Sequence, residues 1–376
     1  MKFNKWTLGL AAVGAVSMAS AVRADEAKLS QLNTAVSNTT ISGYVDTAVQ
    51  YNAGNAGRTL APITTQGGSG VADGFSLNAL DITIDKPQDE STWASGYHID
   101  LNTGQDAISA NGSNFGVRQA YIALRTPVGN GIDWKLGAFD GVTGYEGNTG
   151  YSNPNYTRSY GYQVNPASEL GLIGSYKVCN EVTVQLGIAN RNGASSGGNT
   201  GTSPELSSKN YIADVALTAP DSWGWFKGST LNLGTVQTFD NYGQNNYNAS
   251  LTFNTPIAAL KGGLSYDKVQ DLGKYNQGYD GNIFGVYASY QQTDKLSYSV
   301  RGEYVDGANF SYFYGNKNPY GNGKGTEVTA TVEYDLWANV VSRAEFRWDH
   351  AENAAEFNNN YTGNAYLLAL NVVYKF

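Results

Sequence analysis

The sequence predicts an all-β fold, a transmembrane antiparallel β-barrel of about 16 strands. Three observations predict it. Successive segments alternate apolar and less apolar side chains, the connections between them alternate short and long, and tryptophans gather beside the short connections. After the N-terminal leader no segment approaches the ~20 apolar residues of a membrane-crossing helix, and mean hydropathy is negative. A membrane barrel reconciles these facts, because it averages a lipid face with a wet lumen and shows no hydropathy peak.

Residues 1–24 read as a secretory signal peptide: Lys2 and Lys5 form a positive n-region, Leu8 to Ala19 a short apolar run, and Val22-Arg23-Ala24 a small-residue cleavage site, with Ala19-Ser20-Ala21 as the alternative. Cleavage after Ala24 leaves 352 residues and takes the formal charge from −8 to −11. Residues 25–38 form an N-terminal periplasmic segment, either a short helix with Leu29, Leu32 and Val36 on one face or a flexible tail. Residues 39–376 form a single barrel domain.

The strands fall at about 39–51, 75–86, 92–103, 115–126, 132–142, 168–179, 182–191, 209–219, 229–239, 246–255, 258–269, 282–293, 295–306, 326–336, 339–350 and 365–376. Alternate side chains of a strand point to opposite faces. In the third strand Trp93, Ser95, Tyr97, Ile99 and Leu101 therefore oppose Ala94, Gly96, His98, Asp100 and Asn102. In the seventh, Val182, Val184, Leu186 and Ile188 oppose Thr183, Gln185, Gly187 and Ala189; in the fourteenth, Val328, Ala330, Val332, Tyr334 and Leu336 oppose Glu327, Thr329, Thr331, Glu333 and Asp335. The last strand aligns Tyr366, Leu368, Leu370, Val372, Tyr374 and Phe376 on one face, and it should close the barrel against 39–51. Strand four is ambiguous, because Arg118 and Arg125 fall on opposite parities.

Short links such as 87–91, 179–181, 255–257 and 293–295 alternate with the longer 52–74, 104–114, 143–167, 192–208, 270–281, 307–325 and 351–364. Short periplasmic turns and long external loops are the habit of membrane barrels. Trp93, Trp134, Trp223, Trp225 and Trp337, with Phe376, then form a periplasmic aromatic belt, since an indole favours the membrane interface.

The chain is similar to the OmpL-like β-barrel porin family of the bacterial outer membrane. The likeness rests on Phe75-Ser-Leu-Asn-Ala-Leu-Asp-Ile-Thr-Ile-Asp-Lys-Pro87, Trp93-Ala-Ser-Gly-Tyr97, Arg118-Gln-Ala-Tyr-Ile-Ala-Leu-Arg-Thr-Pro-Val-Gly-Asn-Gly-Ile132 and Asn153-Pro-Asn-Tyr-Thr-Arg-Ser-Tyr-Gly-Tyr162. It is strongest over 75–190 and implies a channel without specifying a solute. The aromatic C-terminal strand also resembles the signal read by the barrel-assembly machinery.

Sixteen strands enclose an aqueous channel, and charge is tolerated on its lumen side but costs roughly 2–4 kcal/mol for Arg or Lys facing lipid at the midplane. Asp46, Asp100, Lys135, Lys177, Asp214, Arg301, Glu303, Arg343, Glu345 and Arg347 all lie on the less apolar faces of their strands. The row Arg343, Glu345, Arg347 and the pair Arg301, Glu303 either set a selective transverse field or serve as salt-bridged wall. The connection 143–167, the longest, follows the fifth strand, the position of the inward-folded loop in sixteen-stranded porins; it carries Glu146, Tyr156, Arg158 and Tyr160 and is the candidate constriction, or else an external loop packed on its own aromatics.

Other classes receive little support. An acidic chain lacks the basic surface that nucleic acid needs. Cys179 is the single cysteine, so no intramolecular disulfide forms. His98 and His350 sit on separate strands, no nucleophile-elbow motif stands in context, and no His/Cys cluster suggests zinc. Gly-Asn-rich loops fit plain turns as well as Ca²⁺. The reading is a non-enzymatic, cofactor-free outer-membrane porin for passive diffusion of small hydrophilic solutes, surrounded by outer-membrane lipids and, by analogy with other sixteen-stranded porins, a homotrimer. The alternative is a structural or surface-recognition barrel with a blocked pore.

Overall fold

The computed structural model describes residues 38–53, 73–104, 115–190, 209–239, 244–271, 280–307, 323–352 and 364–376. The expected signal peptide and all but the last residue of the 25–38 segment lie outside the described residues. The strands are β1 (Thr40–Ala53), β2 (Gly74–Lys86), β3 (Ser95–Thr103), β4 (Phe115–Thr126), β5 (Ile132–Asp140), β6 (Ser168–Lys177), β7 (Val182–Asn190), β8 (Lys209–Thr218), β9 (Thr230–Thr238), β10 (Gln244–Asn254), β11 (Leu260–Asp271), β12 (Asp280–Gln291), β13 (Leu296–Gly307), β14 (Gly323–Trp337), β15 (Val340–Ala351) and β16 (Asn364–Lys375).

They close into one barrel in chain order, every strand antiparallel to its sequence neighbours. β1 pairs with β16 from Tyr44↔Lys375 to Ala53↔Tyr366. Backbone bonds of 2.9 and 3.0 Å between Gly43 and Phe376 finish the seam, as the sequence led us to expect. With no strand edge left open, the ladders run unbroken round the barrel, the condition lipid imposes on backbone.

Burial is inverted relative to a water-soluble sheet protein. Along β16 the outward residues Leu368, Leu370, Val372 and Tyr374 are exposed, whereas Leu367, Ala369, Asn371 and Val373 are buried. In β14 Val328, Val332 and Tyr334 face out while Glu327, Thr329, Thr331 and Glu333 face in. Apolar outside and polar inside is the arrangement of a membrane barrel.

Two irregularities matter for the interior. The β1–β2 register slips between Asp46 and Thr47, passing over Asn78, and the β3–β4 register slips between Asp100 and Leu101, passing over Arg118. An extra residue in one strand reverses the parity beyond it. Arg118 and Gln119 are consequently both buried, and the parity conflict between Arg118 and Arg125 disappears: the two arginines lie on either side of a bulge.

At the short-turn end, aromatic rings lie over glycines. Trp134 pairs directly with Gly174, and a Cβ there would come within 2.7 Å of the indole; Phe253 stands in the same relation to Gly262. Trp93 (72 % exposed), Trp223, Trp225 and Trp337 also lie at this end, the middle two in a pair of 3₁₀ turns joined at Gly224.

Candidate functional site

The connection between β5 and β6 is built mostly from Gly, Asn, Ser, Thr and Tyr, residues that favour turns and offer side-chain hydrogen bonds. It contains a 3₁₀ turn at Gly150–Ser152 and one short helix, α1 (Tyr160–Val164), capped by Ser159, whose hydroxyl accepts from Tyr162 N. Arg158 braces it internally. Its guanidinium donates to the carbonyls of Gly147 and Asn148, each at 2.5 Å, and lies 4.5 Å from the Tyr162 ring centre.

This segment lies inside the barrel against the far wall. In a ring of sixteen, β13 is diametrically opposite β5. Arg301 on β13 nevertheless meets Glu146 at 2.7 Å and donates to Thr157 O at 2.7 Å, while pairing with Glu327 on β14 at 3.0 Å. Two wall carboxylates each take two consecutive backbone N–H groups: Glu345 accepts from Tyr156 N (2.5 Å) and Thr157 N (2.9 Å), and Glu303 from Tyr160 N (2.6 Å) and Gly161 N (3.1 Å). The arginines complement them by donating to loop carbonyls. Arg343 reaches Gly150 O at 3.2 Å and Asn155 O at 3.3 Å, and Arg347 reaches Arg158 O at 2.7 Å. Charged partners make these the stronger kind of hydrogen bond, and enclosure strengthens them further.

Apolar contact completes the docking. Tyr156, Tyr160 and Val164 share a cluster with Val269, Ile283, Val305 and Leu367. Tyr160 also donates to Asp349, and Tyr151 meets Tyr44 edge-on at 4.8 Å. Tyr145 stacks on Tyr287 at 3.9 Å, and burial pushes its phenol well above the ordinary value. Counting Thr149 on Arg118, Tyr156 on Asn78, Asn155 on Thr331, Asn165 on Asp267 and the Val164 carbonyl on Asn246, the segment touches β1, β2, β4 and each of β10 to β16.

The remaining predicted lumen residues stand apart from this contact. Asp46 accepts from Asn78 and Asn371 and lies 3.9 Å from Arg343, so it joins the docked wall indirectly. Asp100 belongs to a second group on β2 to β5, where Arg118 lies 3.3 Å from Asp100, 3.6 Å from Asp81 and 2.7 Å from Asp140. Lys135 lies over the Tyr121 ring at 4.9 Å. Both walls bury their charges: the side chains of Arg118, Asp81 and Asp100 are 2–5 % exposed, and His98 and Asp85, toward the short-turn end of β2 and β3, are wetter. The side chains of Arg301, Glu303, Glu327, Arg347 and Asp349 are 0 % exposed, whereas His98 keeps 17 % and Asp85 35 %. Sequence parity already placed Glu327 on an inner face, but Asp81, Asp140, Asp267 and Asp349 were not singled out.

Residues 38–376 match the family described as "Putative beta-barrel porin-2, OmpL-like". The chain belongs to this family. Its barrel is therefore an outer-membrane barrel of porin type. Among solved structures, it is similar to OmpT of Vibrio cholerae in its trimer form (14 % identity, TM-score 0.58, covering 90 % of this chain and 99 % of that one). An anion-selective porin from Comamonas acidovorans aligns at 12 % identity and TM-score 0.57 over 90 % and 99 %. The outer membrane channel DcaP of Acinetobacter baumannii aligns at 11 % and 0.56 over 90 % and 97 %. At such identities the likeness is one of fold. No curated protein matches the chain.

Proposed function

We propose that this porin-family barrel is a channel for passive diffusion of small hydrophilic solutes, with loop 143–167 as its constriction. The observation that carries the reading is the pinning of that loop to the wall opposite its origin, through Glu303 and Glu345 on loop amides and Arg301, Arg343 and Arg347 on loop carbonyls. The path for water then runs along β2 to β5, where His98 and Asp85 keep access to solvent. Trp93, Trp134, Trp223, Trp225, Trp337 and Phe376 serve as the interfacial belt on the short-turn side. A homotrimer, a lipid annulus and delivery through β16 to the barrel-assembly machinery belong to the same reading.

Deleting residues 147–157 tests it in planar bilayers of purified protein. Conductance should rise at least twofold, and an unchanged value places the loop outside the conduction path. A second reading is a structural or surface-recognition barrel with a blocked pore. The number of strands the loop touches favours it, and a wild-type protein that passes no current while the deletion variant conducts would establish it.

A further inference from the structure

A row of side chains crosses the wall of β2 to β5 toward its short-turn end. In the ladder Asp85 on β2 stands opposite His98 on β3, His98 opposite Tyr121 on β4, and Tyr121 opposite Gly137 on β5. Gly137 has no side chain to intervene. Lys135, two residues nearer the turn on the same face, lies over the Tyr121 ring with its ammonium 4.9 Å from the centre. His98 stacks on that ring at 5.2 Å and bonds Asp85 through Nδ1 at 2.9 Å. The row is therefore continuous from a carboxylate to an ammonium.

Its polar ends face solvent rather than the loop. Asp85 keeps 35 % of its side chain in solvent and bonds His98 through one oxygen, leaving the other free. Lys135 and Tyr121 are half-buried, and among the described residues neither the Lys135 ammonium nor the Tyr121 hydroxyl has a hydrogen bond or an ion pair, while both are reached by solvent. The hydrogen bonds of the loop on this side go to Asn78 and Arg118, not to the row.

Opposite charges at the two ends of a polar track ask for a solute that carries the complementary pair. A simple cation is attracted at Asp85 and repelled at Lys135, and a simple anion the reverse. Neighbouring strands lie about 4.8 Å apart, so the three steps from β2 to β5 set the two charged residues roughly 14 Å apart at the backbone. An extended peptide covers about 3.3–3.6 Å per residue, so three or four residues carry its terminal charges across that interval. Between the ends, the Tyr121 hydroxyl can donate to or accept from the peptide groups. Solvent weakens such contacts, as passage requires, since a channel must release what it binds.

We propose that Asp85, His98, Tyr121 and Lys135 form a recognition track for elongated zwitterions, of the kind that peptides of three or four residues are. The solute ammonium meets Asp85 and its carboxylate meets Lys135. The proposal deepens the channel reading and rests on it for access from the lumen.

The test is a titration of the full barrel in detergent micelles with tetraglycine, followed by broadening of its proton NMR signals. Glycine, whose two charges are adjacent, and N-acetyl-tetraglycine amide, which carries neither charge, are the comparison probes. Wild type should bind tetraglycine at least fivefold more tightly than either. Asp85→Asn and Lys135→Gln should each weaken tetraglycine at least fivefold and leave the blocked peptide unchanged. No binding of tetraglycine to wild type, or equal binding of the three probes, overturns the proposal without recourse to any variant. Undiminished affinity in both variants overturns it too, and a loss in one variant alone would reduce the row to a single-charge site and overturn the zwitterion assignment. Wild-type conductance in KCl alone is recorded separately. Lack of current there defeats the channel reading, and the micelle titration still decides the track.

Discussion

Arg301 and Glu146 meet at 2.7 Å although one sits on the strand opposite the origin of the loop that carries the other. Both side chains are fully buried, and Glu327 supplies the second carboxylate of the cluster. Removing one partner of such a pair strands a charge and costs about 3–5 kcal/mol. The loop can relieve that cost by leaving the wall.

Arg301→Met should therefore loosen the hold of β13 on the loop, leaving Glu303 as its anchor there. We expect single-channel conductance to rise at least 1.5-fold, with more current noise than in the wild type. A barrel of unchanged conductance and noise would mean that Glu303, Glu345, Arg343 and Arg347 hold the loop without Arg301.

Arg343 and Arg347 differ from Arg301 in sitting on a single face of β15, where they donate to the carbonyls of Gly150, Asn155 and Arg158. Replacing both by Ala removes two positive charges from the interior and leaves Glu345 and Asp349 in place. The reversal potential in a KCl gradient should move toward cations, accompanied by higher conductance. A shift without added conductance would separate charge selection from loop anchoring.

The Arg118 guanidinium serves Asp81, Asp100 and Asp140 together, on a wall the loop barely touches. Arg118→Ala should push selectivity toward cations while conductance stays within a few tens of per cent, since loop docking is preserved apart from Thr149. An equally large rise in conductance as in Arg301→Met would show instead that this arginine also holds the loop.

Gly174 is covered by Trp134 from the neighbouring strand. Gly174→Val places methyl groups where the indole lies, and overpacking of this kind costs about 1–3 kcal/mol. The temperature at which the folded band disappears on a heat-modifiability gel should fall, with Gly174→Ala intermediate. Equal melting of all three proteins would show that the indole is free to swing into lipid.

Much of the barrel was legible in the chain because its determinants are local. The period-two pattern of β14 and β16 selects faces without knowledge of any partner, and the phase of the turn lengths sets direction. The inward position of Arg301, Glu303, Arg343, Glu345 and Arg347 followed from the same parity. Their employment did not, because the atoms they bind are backbone groups of a segment 140 or more residues earlier, and backbone carbonyls leave no mark in a sequence. Arg158 shows the same limit: its sequence position gives no sign that it also donates to the carbonyls of Gly147 and Asn148 within its own loop. The parity of strand four is hidden in the sequence for a different reason. A bulge adds one residue without changing composition, so Arg118 and Arg125 appeared incompatible until the register was known.

The docking of the loop also carries a consequence in time. The segment that follows β5 is tied by residues of β13 to β15, which emerge more than a hundred residues later, and contacts so distant in the chain form late. The barrel itself cannot close before β16 is made, since β16 pairs with β1. Loop docking and ring closure thus fall together at the end of assembly, and a chain that stops short of β15 would lack the fastenings that Glu345, Arg343 and Arg347 give the loop.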